Sequence, residues 1–288
     1  MNDSNSIINF GDLTKPATVL IEKIADFTGA AFKPRQIRRV AKAEAEASII
    51  KASADIEISD MQRRAMQRVL ADETRNQENI ENIVDKTLPQ LNAEAKPEEI
   101  EYDWLATFFE KCKRVSNDEM QTLWSKVLAS EANKQGSFSK RTLDIISSID
   151  KEDAELFTQL CRFNWQFPDT HPVIFNYYDE IYDSYGLTFD SLSHLEFIGL
   201  IILNSHFINE KGFYLTDRLS ANPIISYFDS SFNAEIHSLD DHSFTVGNVL
   251  LTKSGKELSS ICKAEKSDEI LQFVLKTWTE FGYKISSI

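Results

Sequence analysis

Apolar and polar positions divide the chain into three textures. Residues 14–28 carry Val19, Leu20, Ile24 and Phe27 at helical spacing, with Glu22, Lys23 and Asp26 between them. Thr14 is placed to cap this helix, Pro16 fits its first turn and Gly29 ends it. Residues 34–88 follow without a glycine and with only Pro34, a first-turn proline, before Pro89 stops the run. Ala, Glu, Lys, Arg, Gln and Met dominate this stretch. As one straight helix it would extend roughly 80 Å.

The apolar positions of this rod form two stripes. One runs through Ile37, Val40, Ala47, Ala54, Ile58, Met61 and Ala65, the other through Ala45, Ile49, Ala52, Ile56, Met66 and Leu70. Two stripes need contacts on two sides, which fits a bundle or staggered oligomer better than a simple dimeric coiled coil. A fold-back near Ser59 would make the rod a helical hairpin. We therefore expect a homo-oligomer.

Short amphipathic helices come next, the pattern of a helical bundle. Residues 98–114 carry Trp104, Leu105, Phe108 and Phe109, a set whose spacing reads as core. Ser116 with Glu119 has the form of a capping box, Ser139 caps residues 140–148, and Asp150 caps residues 151–163. After Phe167 the texture changes. Residues 177–185 read as helix, and Ser193 with Glu196 as the cap of a helix over 194–203. Short strands are expected at 207–209, 213–215, 233–238 and 243–251, followed by a helix through Cys262 and a last helix over 268–282. The fold class predicted is mainly α. It comprises a long N-terminal helix or helical hairpin, a helical bundle, and a small α+β, winged-helix-like C-terminal domain. The segments are residues 1–32, 33–91, 97–165 and 166–288.

Composition adds constraints. The 42 % hydrophobic content supports a core, and the rod contains none of the 19 Phe, so the globular part lies after it. A formal net charge of −14 makes nucleic acid an unexpected partner. The winged-helix-like reading would suggest DNA binding, but residues 229–242 are acidic where a DNA-contacting wing is basic. A protein partner is expected instead. Cys112, Cys161 and Cys262 are widely spaced with no CxxC, which reads as reduced thiols in a cytoplasmic protein. The start lacks the features of a signal peptide, and no apolar run reaches the length of a membrane span.

Residues 104–157, WLATFFEKCKRVSNDEMQTLWSKVLASEANKQGSFSKRTLDIISSIDKEDAELF, and residues 15–47 together resemble an uncharacterised bacterial family scattered in genomes and on mobile elements. Residues 250–262, LLTKSGKELSSIC, are similar to the strand-then-helix ending of the abortive-infection alpha family. The resemblance implies a bacterial cytosolic protein of anti-phage defence. It implies no active site.

Four constellations are candidates for chemistry. Lys33, Arg35, Arg38, Arg39 and Lys42 form the densest basic cluster. Beside the helix at 14–28 it would suit an anionic membrane surface, peripheral at the inner membrane, or a phosphate. Pairing with acids such as Glu44 and Glu46 is the plainer reading. Lys140 and Arg141, in GSFSKRT, open a helix where backbone donors can hold an anion, although the order is not that of a P-loop. A capped turn between helices is the plainer alternative.

His237, Asp240, Asp241 and His242 are possible metal ligands in a turn, where Asp is common in any case. Asp179, Glu180 and Asp183 could pair on one helix for a metal-dependent nuclease, but no Glu-x-Lys strand accompanies them. No nucleophile elbow or dinucleotide-binding glycine pattern occurs, and no cofactor is expected. The reading is a non-enzymatic oligomeric scaffold or sensor in bacterial anti-phage defence. The alternatives are a peripheral membrane effector acting through residues 14–42 and a metal-dependent nuclease.

Overall fold

The computed structural model describes residues 14–28, 60–204, 213–215, 223–235 and 244–288. The basic cluster Lys33, Arg35, Arg38, Arg39 and Lys42, the turn with His237, Asp240, Asp241 and His242, the rod before Asp60 and the strand expected at 207–209 lie outside these residues. The chain divides into two compact units, Met1–Leu143 and Asp144–Ile288. It is mainly helical, with a small antiparallel sheet in the second unit.

In the first unit, helix α1 (Lys15–Thr28) starts beside Thr14, whose carbonyl accepts the Thr18 N–H at 3.1 Å. Its face of Ala17, Leu20, Ile21 and Ile24 is buried. The Lys23 ammonium donates to the carbonyls of Glu98 and Ile100, both at 2.6 Å, at the short 3-10 turn Pro97–Glu99. Helix α2 (Asp60–Thr87) ends where Pro89 opens a second 3-10 turn, Leu88–Gln90. Helices α3 (Tyr102–Cys112) and α4 (Asp118–Asn133) follow.

The C-terminal half of α2 packs on α4, and polar groups set the register of the pair. Asn79 Nδ2 donates to the Lys113 carbonyl at 2.9 Å while Asn79 Oδ1 accepts from Gln121 Nε2 at 3.2 Å. Thr87 Oγ1 lies 3.3 Å from the Ser125 carbonyl of α4, and Asn133 Nδ2 donates to the Gln90 carbonyl at 3.0 Å. In the core, Trp104 stacks on Phe108, which meets Trp124 edge-on at 5.3 Å. The Trp104 indole N–H donates to the Phe138 carbonyl at 2.7 Å.

Helix α5 (Lys140–Ile146) leads to α6 (Lys151–Cys161), whose start is a reciprocal capping box between Asp150 and Asp153. The five-stranded antiparallel sheet has the order β2-β1-β5-β6-β9. Its strands are β1 (Asn164–Gln166), β2 (Thr170–Pro172), β5 (Ile224–Tyr227), β6 (Ser230–Glu235) and β9 (Lys284–Ser287). Two further antiparallel pairs join β3 (Ile201–Leu203) to β8 (Val249–Leu251) and β4 (Phe213–Leu215) to β7 (Phe244–Gly247). The remaining helices are α7 (Glu180–Ser184), α8 (Phe189–Phe197), α9 (Lys253–Ser259) and α10 (Asp268–Glu280).

Trp278 on α10 centres the core of this unit. Its ring lies 4.7 Å from Trp165 and 4.8 Å from Phe244, and its N–H donates to the Thr245 carbonyl at 2.9 Å.

Several elements differ from the sequence reading. Asn117, not Ser116, caps α4, by accepting the Met120 N–H at 3.0 Å. Ser193 lies inside α8, which Thr188 caps, and the expected helix over 194–203 yields to strand β3. Gly199, at φ +85°, ends that helix with a turn that β-branched Ile201 and Ile202 follow as strand. The β1–β2 hairpin, β5 and β9 add strands where none were predicted.

Candidate functional site

The turn GSFSKRT donates two backbone N–H groups to a carboxyl group of the protein itself. The Glu131 carboxylate on α4 accepts the Gly136 N–H at 2.8 Å and the Phe138 N–H at 3.0 Å. Ser139 Oγ caps α5 by accepting the Thr142 N–H at 3.3 Å. Lys140 and Arg141 are exposed, and the Lys140 ammonium is 3.9 Å from Asp103. Within the chain the turn is thus capped by Glu131 and Ser139.

The carboxylates Asp179, Glu180 and Asp183 fall on and beside the five-residue α7, with Asp179 at its N-cap. Asp179 Oδ1 accepts from Asn176 Nδ2 at 2.8 Å, so it closes a local turn. Desolvation holds its carboxyl above the usual range. Among the described residues, no three His, Cys, Asp or Glu side chains converge as a metal-ligating group.

Two other places have the exposure or the shape for binding. The first is the start of α2. From Asp60 to Glu73 almost every residue is exposed, including Met61 (73 %), Met66 (48 %) and Val69 (55 %). Met61, Ala65 and Val69 recur every four residues, and Met66 and Leu70 form a second row beside them. The helix also carries the ion pairs Asp60–Arg63 and Asp72–Arg75, at 3.6 and 3.7 Å.

The second is a cleft of about 590 Å³ in the C-terminal unit, between the end of α6, the β1–β2 hairpin and α9. Strand alternation sends Trp165 into the aromatic core and leaves Asn164 and Gln166 on the other side of β1. At the rim Lys256 Nζ donates to Asp169 Oδ2 at 2.9 Å. Thr170 Oγ1 donates to Gln166 Oε1 at 2.6 Å, bracing the hairpin.

His171, cross-strand from Trp165, is buried, and its Nδ1 has no hydrogen-bond partner within the protein. Burial pulls its pKa down to about 4, the nearby Lys256 charge adds to this, and Asp169 opposes it. It is therefore neutral near pH 7. Asn164 Oδ1 is likewise enclosed without a partner.

Cys161 and Cys262 both line this cleft, and none of the three cysteines is in a disulfide. Cys161 ends α6 and is 2 % exposed, while Cys262 is half-buried in the connection between α9 and α10. Burial pushes the Cys161 thiol well up, and interaction with Cys262 pushes it further. Sequence spacing offered no sign of this pairing, because tertiary structure alone joins the two segments.

Among the described residues the geometry defines a mainly helical protein with an exposed helical face and a polar, thiol-bearing cleft. The chain belongs to the family described as "Protein of unknown function (DUF2806)", whose pattern matches residues 63–275. No curated protein and no solved structure matches the chain.

Proposed function

We propose that the protein is a non-enzymatic oligomeric scaffold or sensor that associates through the first half of α2. The observation that carries this reading is the exposure of Met61, Met66 and Val69 on a helix whose other half is packed. A helical stretch this short, without packing, is marginal in water and gains stability by burying its apolar face. A second copy suits that face, because the same two apolar rows continue in sequence through Ile58, Ile56, Ala54 and Ala52.

The setting we propose is bacterial anti-phage defence in the cytoplasm, on the strength of the resemblance carried by residues 104–157 and 250–262. The C-terminal unit is the proposed partner-binding module. Two short helices, α7 and α8, and the β3–β8 ladder support reading it as winged-helix-like. Its partner in this proposal is a protein, since the net charge of −14 disfavours phosphate backbones.

The membrane reading is less well supported. Among the described residues no helix is long and apolar enough to cross a membrane. Docking through α1 would also require that helix to give up the burial of Ala17, Leu20, Ile21 and Ile24.

Light scattering tests the assembly. The wild-type chain is expected at a multiple of 32.9 kDa at micromolar concentration. Replacing Met61, Met66 and Val69 by Glu is expected to return the mass to that of one chain. A wild-type mass of one chain at the same concentration overturns the proposal.

A further inference from the structure

We infer that Cys161 and Cys262 form a redox-active dithiol, which a hydroperoxide converts into an intramolecular disulfide across the cleft of the C-terminal unit. Both side chains line the same cleft of about 590 Å³, although they are far apart in sequence. Thr158 lies one turn before Cys161 on α6, and its Oγ1 is 4.0 Å from Cys262 Sγ. The Cys262 sulfur therefore lies over the last turn of α6, beside the residue that ends it.

Their environments assign the order of events. Cys262 is half-buried, in the connection that follows α9, and is the thiol a small oxidant reaches. Cys161 is 2 % exposed and is kept protonated by burial and by its neighbour. Cys262 gives its proton to solvent, its sulfur attacks the terminal oxygen of the hydroperoxide, the O–O bond breaks, and the alkoxide leaves as an alcohol with a proton from solvent. Cys262 is then a sulfenic acid. The Cys161 sulfur attacks the Cys262 sulfur, its proton joins the departing hydroxyl, and water leaves. In sum, two thiols lose two hydrogens and the hydroperoxide is reduced to an alcohol and water. The bond ties the end of α6 to the α9–α10 connection.

This assignment is independent of self-association through α2. Cys112, fully buried in the N-terminal unit, serves as an internal reference. Its thiol is also pushed up by burial.

The experiment treats the reduced full-length chain with a few equivalents of hydrogen peroxide, blocks the remaining thiols, and measures intact mass and peptide masses. The expected result is the loss of two hydrogens, a linked pair of peptides containing Cys161 and Cys262, and a blocked, unoxidised Cys112. Reductant reverses the change. Before oxidation, Cys262 is expected to react with iodoacetamide at least about 10-fold faster than Cys112.

In Cys161→Ser, checked for fold by circular dichroism, a dimedone adduct is expected to accumulate on Cys262. Three results on the wild-type chain would each overturn the inference. They are untouched thiols, oxygen additions at Cys262 without a linked peptide, and links only between different molecules.

Discussion

The Glu131 carboxylate, 3 % exposed, accepts the backbone N–H of Phe138 at 3.0 Å, seven residues further on. The Gly136 N–H completes the pair of donors. Phe138 in turn is buried, and its carbonyl receives the Trp104 indole. One acid therefore holds the turn that seats a core aromatic. Glu131→Ala leaves both donors short of their acceptor and is expected to cost about 2–3 kcal/mol. Glu131→Gln, which keeps one acceptor oxygen, should cost less. Urea unfolding midpoints check the order, and equal midpoints for wild type and Glu131→Ala would contradict it.

Gly255 lies in α9, where alanine is ordinarily favoured by about 1 kcal/mol. Here a Cβ would collide with the Leu200 carbonyl oxygen, a backbone atom that cannot swing aside. Gly255→Ala is therefore expected to destabilise by about 2 kcal/mol or more, reversing the propensity sign. Thermal unfolding decides. A rise in midpoint would mean that α9 does not pack this closely on Leu200.

His171 sets a pH dependence. Its folded pKa, about 4, lies below its ordinary value of 6.5. Between those values the unfolded chain binds more protons, so stability rises with pH across that window and is lost as pH falls through it. For a side chain only 6 % exposed the full effect approaches about 3 kcal/mol. Denaturant titrations at pH 4.5 and 7 are expected to show the difference, and His171→Leu to shrink it. An unchanged difference in the variant would remove His171 as its source.

The face of α2 gives a different kind of prediction. Met61 and Val69 touch solvent, so replacing them with Glu is expected to change the stability of a single chain by no more than about 0.5 kcal/mol. Mass, not folding, should respond. If stability measured on dilute, dissociated protein falls by several kcal/mol, these residues pack within the chain.

Much of the helical part was legible in the sequence. Proline stops, the Asp150 cap and the spacing of Trp104, Leu105, Phe108 and Phe109 are local signals, and local backbone chemistry is what they report. The last helix also followed its pattern, with Leu271, Val274 and Trp278 buried, though Phe281 lies exposed just beyond it. Short strands were less legible. In β1, Asn164, Trp165 and Gln166 alternate over too few residues to be told from a helix end. Ile201 and Ile202 became strand because Leu250 and its neighbours in β8 supply the ladder.

The residues of the cleft needed the fold entirely. By itself the sequence determined that the first third of the chain is rich in helix formers, that the formal net charge is −14, and that three cysteines exist. Only tertiary structure decided that Glu131 is the acceptor in the GSFSKRT turn, that His171 is buried, and that Cys161 and Cys262 line one cleft. The physical reason is range. Caps, turns and periodicity act within a few residues, whereas burial and charge depend on which distant segments the chain brings together.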